Sequence, residues 1–148
     1  MNGHGAIDEH EIKTLLHPEE VAMLENKDAI ATVAVSDLST ARKFYEETLG
    51  LQRAAGTQPE PPVYQAGKFR LLVYQSRYAG TNQATAVTWD VGEDIENVVQ
   101  ELKAKGVTFE HYDGLPQTTR LGDVHVTGRL KAAWFKDPDD NIHALVGR

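Results

Sequence analysis

The sequence predicts an α+β fold made of two similar halves, and three observations support this prediction. A β-rich apolar run from Ala29 to Val35 is followed by apolar residues at helical spacing that stop at Gly50. The same order returns with the run from Thr85 to Val91 and a helical pattern that stops at Gly106. Further strand-like segments follow each glycine. An internal duplication with a period of about 56 residues accounts for the repetition.

The first half begins with the strand that ends at Val35. Asp37 follows it and is a typical helix N-cap, because its carboxylate can accept a bond from a free amide of the first turn. Gly50 can adopt the left-handed conformation that ends a helix. Between these two residues, the apolar positions that recur at helical spacing are Leu38, Ala41, Phe44, Tyr45 and Leu49. Two more strands are predicted over Val63–Ala66 and Phe69–Gln75.

The second half repeats this pattern. Asp94 is the predicted N-cap and Gly106 the predicted helix end, and the apolar positions between them are Ile95, Val98, Val99 and Leu102. Strands are predicted over Val107–His111 and Leu130–Phe135. Each half therefore gives a sheet covered by a helix on one side and free on the other. Two such sheets can curl toward each other and enclose a cavity between their free faces.

Composition limits the class of protein. The chain has 148 residues, of which 41% are hydrophobic and 25% charged, which is enough apolar material for one closed core. No apolar run approaches the roughly 20 residues that span a bilayer, so we expect a soluble, cytoplasmic protein. The chain has no cysteine, so a metal site would need histidine and carboxylate ligands.

Charge is concentrated at the start of the chain. Residues 1–28 contain two basic and seven acidic residues, a net charge of -5, and the other 120 residues carry only -2. We expect residues 1–28 to form an acidic helical extension, and residues 29–148 to form one domain with modules over about 29–80 and 84–148. Because no basic stripe is present to neutralise phosphates, nucleic acid and membrane surfaces are excluded as expected partners.

Two motifs resemble a known family. The segment from Val33 to Leu51, VAVSDLSTARKFYEETLGL, resembles the opening of the glyoxalase, bleomycin-resistance and extradiol-dioxygenase superfamily, the vicinal oxygen chelate proteins. The segment from Phe135 to Leu145, FKDPDDNIHAL, resembles the closing motif of that family. The resemblance spans Ala29 to Val146. It implies two tandem βαβββ modules that form a curled mixed sheet around a cup, frequently in a homodimer.

The resemblance also implies where a metal ion would bind. Metal-using members hold a divalent ion on His, Gln or Glu side chains from four strands. The matching positions here are Ile30, Ala86, Ala144 and a residue near Leu71 or Val73, where Gln75 is the only side chain of ligand type. Alkyl groups donate no electron pair to a cation. We therefore expect neither a metal nor another cofactor.

The histidines do not restore the missing ligands. His143 is one residue from Ala144, and successive side chains of a strand point to opposite faces. We therefore expect His143 to face the helix or solvent. His111 and His125 lie outside the positions that the resemblance assigns to metal ligands.

Several other residues are candidates for ligand binding. By the period of two, Thr32, Thr88 and Asp90 share the face of Ile30 and Ala86. The resemblance to fosfomycin-modifying relatives supports Thr32 as a ligand contact and adds Trp134 as a pocket aromatic. Asp90 is the one carboxylate expected there, either as a buried general base or at the exposed end of its strand.

A long connection supplies the remaining candidates. The stretch from Asp113 to Gly128 is long for a loop inside a compact domain, and such loops often cover a binding site. Tyr112, Arg120 and His125 are then expected ligand contacts or, equally, surface residues.

These observations predict a metal-independent protein that binds a small organic molecule in the cup. The alternative is a metal-dependent lyase, isomerase or dioxygenase of the glyoxalase type, with ligands at other positions or from a dimer partner. A third interpretation treats the acidic extension as a docking element. The partners we expect are a small organic molecule and a second copy of the chain.

Overall fold

The structure is a computed structural model that describes residues 23–148. Residues 1–22, which make up most of the predicted acidic extension, lie outside the described residues. Met23 and Leu24, the first two described residues, are exposed.

The first module forms a four-stranded sheet covered by one helix. Strand β1 leads into helix α1, whose last part is wound as a π-helix, and three strands follow. The bounds are β1 (Ala31–Val35), α1 (Leu38–Arg42, then Lys43–Thr48 as π-helix), β2 (Gln52–Arg53), β3 (Val63–Ala66) and β4 (Phe69–Gln75). The order in the sheet is β1-β4-β3-β2, in which β1 and β4 are parallel and the other pairs antiparallel.

The second module repeats this arrangement with a larger sheet. Its elements are β5 (Thr85–Gly92), α2 (Ile95–Ala104), β6 (Phe109–Glu110), β7 (Thr119–Leu121), β8 (Val124–Thr127), β9 (Leu130–Lys136) and β10 (Ile142–Gly147). The order is β5-β10-β9-β8-β7, and β6 pairs with β9. The first strand of this module is again parallel to its last strand. The duplicated order and the α+β class predicted from the sequence are therefore confirmed.

Each sheet buries one face under its helix. In β1, Val33 and Val35 are buried, whereas Thr32 and Ala34 are on the opposite face and at least partly exposed. The buried residues of the first module, together with the helix residues that cover them, are Val33, Val35, Ala41, Tyr45, Tyr64, Leu71 and Val73. The second core consists of Ile95, Val99, Leu102, Phe109, Val124, Ala133, Phe135 and Leu145. The free faces of both sheets are available for a site.

The two cores are continuous through a few shared side chains. Phe44, Leu49 and Trp89 are partly buried and pack against both clusters. Phe44 also contacts Tyr45 edge to face and lies 6.4 Å, between ring centroids, from Phe135. Helix α1 therefore packs on the strands of both modules. None of the helices within residues 23–148 has the length and apolar character needed to cross a membrane.

The structure corrects three details of the sequence prediction. The stretch from Asp113 to Gly128 is not one long loop, because β7 and β8 form a hairpin within it that extends the second sheet. The strand predicted over Val107–His111 is reduced to two residues. Asp37 caps α1, with its Oδ1 accepting from the Ser39 amide at 2.9 Å, but Asp94 makes no side-chain bond to α2.

Candidate functional site

The free faces of the two sheets carry most of the predicted site residues. Thr32 and Ala34 of β1 lie on this face of the first sheet, opposite Leu72 and Tyr74 of β4 in the parallel register. On the second sheet, the corresponding strand β5 presents a similar row. Its free-face residues are Ala86, Thr88 and Asp90, next to Ala144 and Val146 of β10 and Ala132 and Trp134 of β9.

The positions that the resemblance assigns to metal ligands carry alkyl groups on this face. Ile30, which shares the alternation of Thr32, is 46% exposed. Ala86 lines two of the cavities, and Ala144 lies opposite Thr88 in the register. The fourth position needs a correction, since Leu71 and Val73 are buried on the helix side.

The face of β4 that looks away from the helix carries Leu72, which pairs with Thr32. Gln75 is three residues from Leu72, so its side chain points to the opposite face of β4. Its amide donates to the Ser36 carbonyl at 3.0 Å. Within residues 23–148, no three His, Asp or Glu side chains are grouped closely enough to bind a metal ion.

Two cavities share Ala86 in their lining. One has a volume of about 580 Å³ and is lined by the start of β1, the β3–β4 hairpin and β5, including Thr88 and Asp90. The other, of about 360 Å³, is lined by Thr32, Ala34 and Tyr74 among others. These volumes lie within the range of small-molecule sites. The structure therefore brings Thr32 to one cavity and Thr88 with Asp90 to its neighbour.

The polar groups of these cavities are partly engaged with their own backbone. The Thr32 hydroxyl donates to the Ile30 carbonyl at 3.2 Å. Asp90 is exposed, and its Oδ1 accepts from the Gly92 amide at 3.0 Å. Of the two alternatives for Asp90, the exposed strand end is the one observed. Thr88 is exposed as well.

Trp134, Tyr112 and His125 form an aromatic cluster on the free face of the second sheet. The Trp134 ring meets His125 edge to face at 4.9 Å between centroids, and it meets Tyr112 in the same way at 5.2 Å. His125 Nε2 accepts from the Tyr112 amide at 2.9 Å. Arg120, the other residue predicted in this region, instead pairs with Asp113 at 2.7 Å and thereby lowers the pKa of that carboxyl.

A third cavity, of about 290 Å³, lies beside this cluster. Its wall is mainly apolar and contains His125 and Trp134, together with Leu115, Thr118, Thr127, Leu130, Lys131, Ala132 and Val146. His125 is only 2% exposed although it lies on the free face. The hairpin that replaces the predicted loop supplies this histidine from β8.

The opposite, helix-covered side contains a chain of buried polar groups that sequence reasoning missed. Trp89 Nε1 donates to His143 Nδ1 at 3.0 Å, and His143 Nε2 lies 3.1 Å from the Tyr45 hydroxyl. That hydroxyl donates to Asp137 Oδ2 at 2.7 Å. Asn141 donates to the same carboxylate oxygen at 2.8 Å. Of the two orientations expected for His143, toward the helix side or toward solvent, the structure has the first, and its ring is fully buried.

Burial determines the ionisation of the hydrogen-bonded side chains in this polar cluster. It lowers the pKa of His143 to about 4, so the ring is neutral at pH 7. Because Trp89 has only a donor, the ring proton is then on Nε2 and is donated to Tyr45. Burial is also the main cause that raises the pKa of Asp137, although hydrogen bonds from Asn141 and Tyr45 act in the other direction. Burial, followed by the neighbouring Asp137, raises the pKa of Tyr45 well above its usual range.

The chain of polar groups could have been partly anticipated from the sequence. Asp137 and Asn141 belong to the DPDDN turn of the closing motif, and the Asp137 carboxylate caps that turn by accepting from the amides of Asp139 and Asn141. The other two members, Tyr45 and Trp89, are distant in sequence from the residues that they bond, Asp137 and His143. No local pattern indicates that these side chains meet.

Two sheets, each with a parallel outer pair and a helix on one face, together with cavities lined by residues of both sheets, define a protein built from two similar modules. The family model described as Glyoxalase/Bleomycin resistance protein/Dioxygenase superfamily matches residues 28–144. The chain therefore belongs to this superfamily, which confirms the resemblance seen in its two motifs.

Individual relatives are distant. Virulence protein STM3117 of Salmonella typhimurium is 24% identical over 132 residues, which are 85% of this chain and 87% of that protein. Among solved structures, an integron cassette protein from the mobile metagenome of the Halifax Harbour sewage outfall has a TM-score of 0.60 at 16% identity, covering 83% of this chain and 99% of that one. The fosfomycin resistance protein FosX of Mesorhizobium loti has a TM-score of 0.59 at 12% identity, covering 85% and 94%. These structures support the fold alone.

Proposed function

We propose that this protein binds a small organic molecule on its free faces, and that it does so without metal coordination. One observation carries the proposal: Ile30, Ala86 and Ala144 present alkyl groups to the face where relatives would hold a cation. Two of the three histidines within residues 23–148 are engaged elsewhere. His143 belongs to the buried polar chain, and His111 pairs with Asp123 at 2.8 Å.

The chemistry of the faces favours an apolar or planar ligand. Trp134 offers a flat apolar surface, and Tyr74 is 39% exposed on the first sheet. Hydroxyl groups such as that of Thr88 can orient a ligand with single hydrogen bonds. The proposal is a binding site that selects by shape and stacking, with few polar contacts.

A thermal-shift screen with small aromatic and aliphatic compounds tests the proposal. It is run on the full chain with EDTA and, separately, with added Mn²⁺, Ni²⁺ or Zn²⁺, while the purified protein is analysed for metals. We expect the compounds that bind to raise the melting temperature equally with EDTA and with each added metal. A stoichiometric divalent ion on protein side chains, or compounds that bind only with metal, would support the glyoxalase-type lyase, isomerase or dioxygenase instead.

A pair of threonines on one strand provides a matched control. Thr88→Val removes a hydroxyl from the free face, and for a compound from the screen that is oriented by this hydroxyl we expect about 2- to 10-fold weaker binding. Thr85→Val makes the same change three residues away, on the other side of β5, and should leave the affinity unchanged. Equal effects of the two variants would contradict a site on the free face.

We also propose a homodimer in the cytoplasm, with residues 1–28 as an extension of a single domain over 29–148. Large exposed apolar side chains support self-association, namely Phe69, Tyr78, Leu121 and Leu130. Light scattering on the full chain and on a chain lacking residues 1–26 tests the role of the extension. Loss of the dimer on deletion supports a docking extension, whereas an unchanged size removes that role.

A further inference from the structure

The geometry points to a ligand subsite at His125, in which its Nδ1–H group donates a hydrogen bond to an uncharged, mainly apolar compound with a carbonyl oxygen. The inference rests on the proposed function and adds the chemical class of the ligand. It concerns the cavity bounded by His125, Trp134 and Leu115, away from the alkyl positions Ile30, Ala86 and Ala144.

A backbone contact sets the tautomer of His125. Its Nε2 accepts a hydrogen bond from the Tyr112 amide at 2.9 Å, so this nitrogen carries no proton in the neutral ring. The proton of the neutral imidazole is therefore on Nδ1, which becomes a donor. The backbone of Tyr112 thus sets the ring orientation and the side of the ring that can donate.

The Nδ1–H donor of His125 has no hydrogen-bond partner within residues 23–148. His125 Nδ1 is fully buried, and no hydrogen-bond acceptor for it exists among residues 23–148. Buried polar groups in folded proteins nearly always have a partner, so an exception calls for a specific explanation. An acceptor atom of a bound molecule provides one, because the His125 ring is part of the cavity wall.

The other polar side chains of the cavity wall already have partners within the protein. Thr118 donates to the Pro116 carbonyl at 3.0 Å and lies 2.6 Å from the Thr127 hydroxyl, so the hydroxyl protons of both threonines are used within the protein. The Lys131 ammonium bonds Glu96 at 2.5 Å. The charge of Lys131 is thus already paired, and His125 Nδ1 is the buried side-chain donor of this wall that has no partner within residues 23–148.

These properties define the ligand class. A charged carboxylate would find no unpaired cation among the wall residues just described, whereas a neutral carbonyl oxygen matches a single neutral N–H donor. The body of the molecule is apolar, because the wall is mostly aliphatic and aromatic. Trp134 can contact a planar ring edge to face or by stacking. Aryl ketones are the simplest compounds with these features.

A titration of the full chain, labelled with ¹⁵N-histidine, tests the subsite by NMR. Acetophenone and ethylbenzene are the probes, since they share a phenyl ring and differ mainly in the carbonyl oxygen. We expect acetophenone to bind about tenfold more tightly than ethylbenzene and to shift the His125 Nδ1–H resonance downfield. Equal affinities, no binding of acetophenone at millimolar concentration, or an unmoved Nδ1–H resonance would overturn the inference, including the case in which a buried water alone is the partner.

Two variants separate the donor from the fold. His125→Gln keeps an amide oxygen near the position of Nε2 for the Tyr112 amide but has no group at the position of Nδ1. We expect it to retain the melting temperature and to lose the preference for acetophenone. His125→Asn places an amide near Nδ1 and should retain part of that preference while losing stability. A preference that persists in His125→Gln contradicts the inference.

Failure of the subsite is distinguishable from failure of the proposed function. If acetophenone leaves His125 unmoved but other compounds shift the amide resonances of Thr32 or Thr88 in uniformly ¹⁵N-labelled protein, the subsite is wrong and the wider binding function stands. If no compound perturbs either free face under metal-free conditions, the proposed function fails together with the subsite.

Discussion

The Tyr45 hydroxyl joins a helix of the first module to two polar side chains of the second. It accepts from His143 Nε2 and donates to Asp137 Oδ2, and all three side chains are buried. A buried donor that loses its partner keeps its full desolvation cost, so this one oxygen affects stability more than its size suggests. These contacts lie on the helix side of the sheets, opposite the faces where we propose the site.

Tyr45→Phe should therefore lower the free energy of unfolding by about 1–3 kcal/mol, because it leaves the His143 N–H and the Asp137 carboxylate each short of one bond. Urea denaturation followed by far-UV circular dichroism measures the change. Tyr64→Phe is the control, since its ring is equally buried and stacks on Tyr45 but its hydroxyl bonds the partly exposed Glu46 at 3.2 Å. A larger loss for the control would show that the polar chain contributes little.

His143 also predicts a dependence of stability on pH. Its pKa is about 4 in the folded protein and about 6.5 in the unfolded chain, so between these values only the unfolded chain binds the proton. Stability is then fully present above pH 6.5 and declines as the pH falls toward 4. Between pH 7 and pH 5 the loss amounts to about 2 kcal/mol.

Urea denaturation of the wild type and of His143→Gln at both pH values measures this effect. The variant is less stable throughout, but we expect its stability to fall by about 2 kcal/mol less over the same interval. Asp137, whose pKa is raised by burial, contributes with opposite sign and is present in both proteins. Parallel pH profiles would indicate that His143 does not cause the acid sensitivity.

The two helices differ in how they begin, although the sequence places an aspartate before each. Asp37 adopts an extended backbone conformation and bonds the Ser39 amide, whereas Asp94 has φ −91° and ψ 9° and makes no such bond. Its backbone amide instead bonds the Val91 carbonyl at 3.0 Å in the turn after β5. The duplication of the sequence therefore overstates the similarity of the two helix starts.

Asp37→Ala should cost about 1 kcal/mol more stability than Asp94→Ala, since only the first removes a capping bond. Both changes remove one negative charge near a helix N-terminus, so that contribution largely cancels in the comparison. Chemical denaturation at constant salt gives the two values. Equal losses would mean that Asp94 caps α2 in solution.

The sequence predicted most elements because strand alternation and helical spacing are local patterns. β3 and β4 occur with the predicted bounds, and Gly106 ends its helix with a positive φ of 92°. The β7–β8 hairpin was missed because its strands are only three and four residues long, and much of its sequence is polar. The alternation of Val124–Thr127 is too short to predict a strand by itself, and pairing with β9 supplies the stability that local preference does not.

The candidate site was only partly predictable for the same reason. Alternation along β1 and β5 placed Thr32, Thr88 and Asp90 on the free face, as the structure has them. It could not reveal that His125 would bond the Tyr112 amide or lie against Trp134, since these contacts depend on strand pairing across β6, β8 and β9. The length of the stretch from Asp113 to Gly128 predicted a loop that covers the site. The structure instead has a hairpin there that extends the second sheet and carries part of the aromatic cluster.

The modules depend on each other in the whole molecule. The turn after β9 holds the end of β1, because Asn141 donates to the Ala34 carbonyl at 2.7 Å and Asp139 accepts from the Ser36 amide at 3.1 Å. Tyr45 adds its bond to Asp137. The first module alone would lose these contacts and keep only the small core around Val33 and Tyr64.

A fragment of residues 23–80 should consequently remain unfolded in isolation, because a chain this short buries too little apolar surface to offset its conformational entropy. Its amide NMR spectrum is expected to show the narrow dispersion of an unfolded chain, in contrast to the full chain. Mixing it with a fragment of residues 81–148 should restore dispersed resonances. A dispersed spectrum from the first fragment alone would show that the modules fold independently.

Because β5 pairs with a strand that comes much later in the chain, its pairing is delayed during synthesis. Strand β10 lies between β5 and β9 in the sheet, and residues 93–141 separate it from β5 in the chain. At ribosomal elongation rates, β5 waits roughly 2–10 seconds after it emerges before its neighbour is made. During that interval the apolar side chains of β5 are exposed in the nascent polypeptide, so chaperones that recognise short hydrophobic strands have a defined period in which to bind it.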